Sequence, residues 1–192
     1  FRAPVVNEKI ALIVWELAVL FVAQVLQRHS NDEAMRYLGE YLKTYPKARD
    51  VRLNYARLLV NAKNYAEARK QFEALVGEYP QNADVGMAVA LLAMQANDYD
   101  AAETQLQRVL ELNYKDPDMA RFYLGQVNEE RKRFDEALKW YSSVSQGEQY
   151  INAQARYAGI LAKQGRLPEA RKHLQEAGAQ DNQQRVQLTQ AE

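Results

Sequence analysis

Tyr55-Ala56-Arg57-Leu58-Leu59, followed by Tyr65-Ala66-Glu67-Ala68-Arg69-Lys70-Gln71-Phe72 and closed by Pro80, sets an order of large, small, large, aromatic, small, aromatic and proline. The order returns down the chain. Tyr65 is answered by Tyr99, Phe134 and Leu167 at spacings of 34, 35 and 33 residues, and Ala68 by Ala102, Ala137 and Ala170 at the same spacings. Self-similarity at a fixed period of this length marks a stack of helix-turn-helix units. One such unit cannot bury its apolar face alone, so neighbours supply the core.

Around this template, Val51 to Pro80, the other copies fall into register. The expected units are 10–46, 48–80, 83–117, 118–147 and 150–181, with Gln183 to Glu192 beginning a further first helix. Within them, helices are expected over Asn31 to Tyr45, Ala48 to Ala62, Tyr65 to Glu78, Arg121 to Arg133, Phe134 to Val144 and Asn152 to Gln164. Asp32 is positioned to cap the second helix of the first unit, Pro46 and Pro80 to end second helices, and Gly165 to take positive φ at a turn. Small residues on first helices (Ala56, Ala90, Gly125, Ala158) and on second helices (Ala68, Ala102, Ala137, Ala170) let paired helices approach closely. The first unit is degenerate, with Asn31 in the slot of Tyr65. The fold class is therefore all-α: a right-handed α-solenoid of about five units, 1–192, read as one continuous array. The chain starts at Phe1 without Met and stops where the sequence still reads as helical, so a piece of a longer protein is expected.

Composition agrees with a folded helical chain. Apolar residues make up 47% and charged residues 26%, with 8 Gly and 5 Pro, which excludes disordered and collagen-like classes. Lys plus Arg and Asp plus Glu are 25 each, so no global field draws in nucleic acid or an anionic membrane. With no cysteine there is neither a disulfide framework nor thiolate chemistry. Ile10 to Leu26 is an apolar run, but Glu16 near its centre would cost roughly 2.5 kcal/mol or more in a bilayer. It reads as a helix meant to be covered on both sides, with no direct membrane span in this chain.

The order of residues resembles the tetratricopeptide repeat. Phe122-Tyr123-Leu124-Gly125, then Phe134-Asp135-Glu136-Ala137 and Trp140-Tyr141, carry the likeness most closely, and it covers nearly the whole chain. The Trp that the family places early in the first helix is absent, its slot holding Arg52, Gly86, Arg121 and Gln154. A narrower resemblance, carried by Arg121 to Gln126, Ala137 to Tyr141, Gly147 to Tyr150 and Leu161 to Leu167, is to long Gram-negative repeat proteins. Some of these are outer-membrane lipoproteins that act as adaptors for a periplasmic protease. It implies a periplasmic or outer-membrane-associated location, with the cytoplasm as the alternative.

Catalytic constellations are missing from the sequence. There is no Gly-rich phosphate loop, no nucleophile elbow and no metal-spaced histidine pair. His29 and His173 are expected at the surface or at helix ends. Glu129 and Glu130, followed by Arg131, Lys132 and Arg133, read as a solvated helix end whose cations complement the helix dipole. The tyrosines fall on repeat positions and read as core and joint residues rather than base-stacking platforms. No enzyme activity, cofactor, metal or nucleic-acid partner is expected.

In the tetratricopeptide family first helices line a concave groove, and the resemblance carries its slots onto Leu53, Asn54 and Arg57, onto Met87, Leu91 and Met94, onto Phe122, Tyr123 and Gln126, and onto Arg156. A Met-rich and aromatic lining with a basic end suits an extended or helical peptide with apolar anchors and an acidic group. The Lys, Asn and Arg arrangement of chaperone-binding members is not matched by Leu53, Arg57, Ala88, Met119 and Tyr123. The expectation is a non-catalytic scaffold or adaptor that binds a partner protein or peptide in the groove. The alternative is a structural spacer or oligomerisation element in a larger cell-envelope assembly, self-associating as a homo-oligomer through Ile10 to Leu26.

Overall fold

The computed structural model describes residues 8–178, with side chains described from residue 13. The expected helix from Gln183 onward lies outside the described residues. The chain is an all-α helical repeat: α1 (Glu8–Gln27), α2 (Asn31–Thr44), α3 (Arg49–Asn61), α4 (Tyr65–Glu78), α5 (Ala83–Gln95), α6 (Tyr99–Glu111), α7 (Pro117–Glu130), α8 (Phe134–Ser142) and α9 (Tyr150–Lys163). A further helix, α10, begins at residue 167 and is described to 178. Packing divides the chain into two compact units between Gln95 and Ala96.

In the N-terminal unit successive helices pack against one another from α1 to α5, and α1 also touches α3. The starts of α2, α4 and α5 are fixed by side-chain caps, whereas α3 starts without one. Asn64 accepts from the Glu67 N–H at 3.4 Å, and Asn82 from the Val85 N–H at 3.2 Å. For α2 the cap is Ser30, which accepts from the Glu33 N–H, and not Asp32 as the sequence suggested. Asp32 sits two residues beyond the cap, in the first turn, where its charge still complements the positive end of the helix. Ala56 and Ala68 are fully buried, and Phe72, Leu75, Val85 and Val89 pack around them.

Helix α1 meets its partner differently from α3. Counting back 34 residues, the small slot of Ala56 holds Val22. A valine is too large for close helix contact, and the adjacent small residue is Ala23. The helix is rolled by about one residue, roughly 100°, so that Val19 and Ala23 are buried against Ala34 and Leu38. Val22 and Val25 stay exposed, and so do Leu17 and Phe21, which occupy the slots of Val51 and Tyr55.

In the C-terminal unit α6 packs on α7, α7 on α8, α8 on α9, and α7 also touches α9. Helix α7 begins one turn earlier than the pattern indicated. Asp116 accepts from the Met119 N–H at 3.0 Å, and Pro117 occupies the first turn, where a missing N–H costs nothing. The α7–α8 joint is the tightest in the unit. A Cβ added to Gly125 would fall 2.5 Å from Cδ1 of Tyr141, so only hydrogen fits there. Tyr141 is fully buried with Ala137, Val144, Ala153 and Ile160. The connection after α8 is fastened by Asp118. Its Oδ2 accepts from the Ser145 and Gln146 N–H groups, both at 2.9 Å, while Oδ1 pairs with Arg121 at 2.6 Å. Burial alone would push this carboxyl up, but those bonds outweigh it and hold it below the ordinary range.

Three-residue turns close the hairpins at 28–30, 62–64, 131–133 and 164–166. Lys63 and Lys132 take φ of 60° and 58° there, and Gly165 takes 80°, the positive value expected from its sequence position.

Candidate partner-binding surfaces

On the first-helix side of the N-terminal unit, α1 and α3 enclose a cleft of about 500 Å3. Asn54, Arg57 and Asn61 form one wall, and Leu17, Leu20 and Phe21 the other, with Gln24 and Gln27 completing the α1 side. Asn54 donates from Nδ2 to the Asp50 carbonyl at 2.8 Å, which leaves its oxygen available. Arg57 is exposed and has no hydrogen bond or ion pair among the described residues. The structure thus brings Asn54 and Arg57 together with α1 residues that the groove pattern omitted. The signal was present: 34 residues before Asn54, Arg57 and Asn61 stand Leu20, Ala23 and Gln27, all of which line the cleft.

The remaining slots divide by burial. Leu53 is half-buried against the Phe72 cluster. On α5, Met87 is 4% exposed and belongs to the interior, whereas Leu91 and Met94 are half-buried and keep some surface. Phe122 is likewise interior, with its ring 6.0 Å from that of Tyr141. Both residues are therefore corrected from groove to core: first helices here are apolar on more than one face, and composition does not say which face is inward. Tyr123 packs at 5.6 Å against Phe122 and is half-buried, as is Gln126.

Arg156 is not the free cation that the pattern suggested. It pairs with Glu129 at 3.1 Å, and Lys163 approaches the same carboxylate at 3.5 Å. The Tyr141 hydroxyl donates to Glu129 at 2.8 Å, and burial first, then that carboxylate, pushes the phenol far above its usual range. Glu129 is therefore no solvated charge. Nor is Arg131, which bonds Asp100 at 2.7 Å and Glu103 at 2.9 Å. Reading 129–133 as a solvated helix end holds for Glu130 and Lys132, which are exposed, and fails for these two.

His173 is half-buried within α10. Its ring stacks on Tyr157 with centroids 4.1 Å apart, its Nε2 lies 2.7 Å from Gln154 Oε1, and burial lowers its pKa. His29 is exposed just beyond α1. Among the described residues no group of three or more His, Cys, Asp or Glu side chains is arranged to hold a metal, and no helix is long and apolar enough to cross a membrane.

Tetratricopeptide-repeat family models match residues 25–92 and 129–192, and a second such model matches 88–151. A TPR repeat-containing protein, PA4667, of Pseudomonas aeruginosa is 37% identical over 71 residues, which is 37% of this chain and 12% of that protein's length. Among solved structures, MamA from Desulfovibrio magneticus RS-1 superposes with a TM-score of 0.73 at 16% identity, covering 88% of this chain and 96% of its own. YrrB, described as a TPR protein with an unusual peptide-binding site, gives 0.69 at 20% identity, covering 90% of each chain. At such identities the likeness is one of fold. The repeat models, by contrast, cover well over half of the sequence, and the chain belongs to the tetratricopeptide-repeat family.

Proposed function

We propose that this chain is a non-catalytic adaptor whose first-helix faces hold a segment of a partner protein. The observation that carries it is the surface retained at the first-helix slots. Leu53, Asn54, Leu91, Met94, Tyr123 and Gln126 are half-buried, whereas the small residues of the second helices, Ala68, Ala102 and Ala137, are fully buried. Apolar and amide side chains left partly open on first helices suit peptide capture. Family membership supports the reading, and so does the peptide-binding site attributed to YrrB. A cell-envelope location remains part of the proposal through the Gram-negative resemblance. Affinity capture from a lysate of the source cells, read by mass spectrometry, tests it. Leu91→Glu and Tyr123→Ala should each deplete the captured partner, and unchanged capture by both overturns the reading.

A second reading, self-association, is favoured by the apolar outer face of α1, where Trp15 and Phe21 are 59% and 66% exposed. Sedimentation of the wild type against Phe21→Glu decides it, since a monomer in both removes it.

A further inference from the structure

We propose that the α1–α3 cleft takes a peptide segment in which apolar side chains flank a carboxylate, the apolar groups lying on Leu17 and Phe21 and the carboxylate on Arg57. The proposal rests on the partner-holding reading and gives it a ligand chemistry and a place.

The two walls differ in kind. Leu17 and Phe21 are 61% and 66% exposed, so the α1 wall leaves apolar surface in water that an apolar side chain would cover. The α3 wall presents Asn54, Arg57 and Asn61 beside Leu58, and no carboxylate lines the cleft. Two arginines of the same unit are engaged: Arg52 bonds Gln71 and the Pro46 carbonyl, and Arg69 pairs with Glu73. Arg57 has no such partner among the described residues, so the cleft carries one uncompensated positive charge. A guanidinium offers two parallel N–H donors that match a carboxylate.

The amides add a further match. Asn54 keeps its oxygen free, and Asn61, Gln24 and Gln27 form no hydrogen bond among the described residues. Amides bordering a cleft can bond the backbone of an extended peptide without regard to its side chains. A volume of about 500 Å3 lies within the range of pockets that take a few side chains.

Charge also orients the ligand. Nearer the helix N-termini, Glu16 of α1 is raised in pKa by burial first and then by Asp50 of α3. Acidic groups gather at that end and Arg57 stands one to two turns further along, so the ligand carboxylate belongs at the Arg57 end. A nucleic-acid backbone would require a row of cations, and a metal would require carboxylates; the cleft has neither.

The test uses the full chain and two fluorescein-labelled nine-residue peptides of Leu and Ser around one central residue, Asp in one and Asn in its twin, with binding read by anisotropy. The wild type should prefer the Asp peptide by about fivefold, as one partly exposed charge pair gives. Arg57→Gln should erase that preference without weakening the twin, and Phe21→Ser should weaken both peptides. Equal affinity of the wild type for the two peptides, or a preference that survives Arg57→Gln, overturns the proposal, and so does failure to bind either peptide. If binding survives Arg57→Gln and Phe21→Ser but is lost in Tyr123→Ala, this cleft is ruled out while the partner-holding reading stands. Loss of that broader reading is seen separately, in the lysate capture.

Discussion

The α7–α8 hairpin and the α1–α2 hairpin follow the same repeat order and solve it in opposite ways. In α7–α8 the small slot is Gly125, the ring of Tyr141 fills the space a side chain would occupy, and the Tyr141 hydroxyl reaches Glu129. In α1–α2 the slot holds Val22, the helix rolls until Ala23 makes the close contact, and an apolar stripe is left facing water. The two hairpins thus differ in whether the apolar surface beside that slot is hidden or displayed. The sealed hairpin reads as scaffold and the open one as a place to bind.

Three substitutions would break or sharpen this contrast. Gly125→Ala should have the largest effect. The new methyl meets the Tyr141 ring in a fully packed joint, and the loss should approach the upper part of the usual range of about 1 to 3 kcal/mol for overpacking, even after the gain in helix propensity. Urea unfolding checks it, and an unchanged midpoint would mean that the joint has room to yield.

Asp118→Asn comes next, at about 1 to 2 kcal/mol near neutral pH, because the bonds to Ser145, Gln146 and Arg121 lose the charge that strengthens them. Its pH signature has a definite sign. The folded carboxyl sits below its unfolded value, so the unfolded chain binds more protons in the window between the two and stability rises with pH there. The contribution is complete above the ordinary Asp range, about pH 4, and disappears as pH falls through the depressed folded value. Subtracting urea midpoints of the variant from those of the wild type across acid pH isolates this part, and a flat difference would place the carboxylate in the same environment folded and unfolded.

Phe21→Ser should have the smallest effect, within about 0.5 kcal/mol of the wild type, because the side chain is 66% exposed. A large loss would show that the outer face of α1 is covered in solution and would remove the contrast between the hairpins.

What the sequence showed about the fold was carried by small residues. Ala56, Ala68, Ala102, Ala137 and Ala170 recur because backbones must approach there, and each is buried. A requirement that acts at every repeat writes itself into the period. The binding surface is written less clearly. On α5, Val85, Met87, Val89, Ala90, Leu92 and Ala93 are all buried, so the helix is apolar on several faces and Met87 cannot be told from Leu91 by residue type. Glu129 and Arg156 stand 27 residues apart and Glu103 and Arg131 stand 28 apart. Pairs at such separations lie beyond any i to i+4 rule, so charges that read as solvated are in fact joined. The roll of α1 was legible in principle, since Val22 in a slot for Ala or Gly is a visible departure, but its direction follows from the neighbouring Ala23 and the packing around it.

The three-residue hairpin turns decide where a protein of this kind can change in length. Lys132, held at φ 58°, leaves no slack between α7 and α8: an insertion there would displace Tyr141 from Gly125 and undo the joint. Connections between hairpins vary more in length, running over 45–48, 79–82, 112–116 and 143–149. The longest carries exposed Gly147 and Glu148 beyond the residues that Asp118 fastens. Copies of the repeat trade residues between a helix and the connection that follows it: the longest connection, 143–149, follows the shortest helix, α8, and the spacing stays between 33 and 35 without erasing the alanines that mark it.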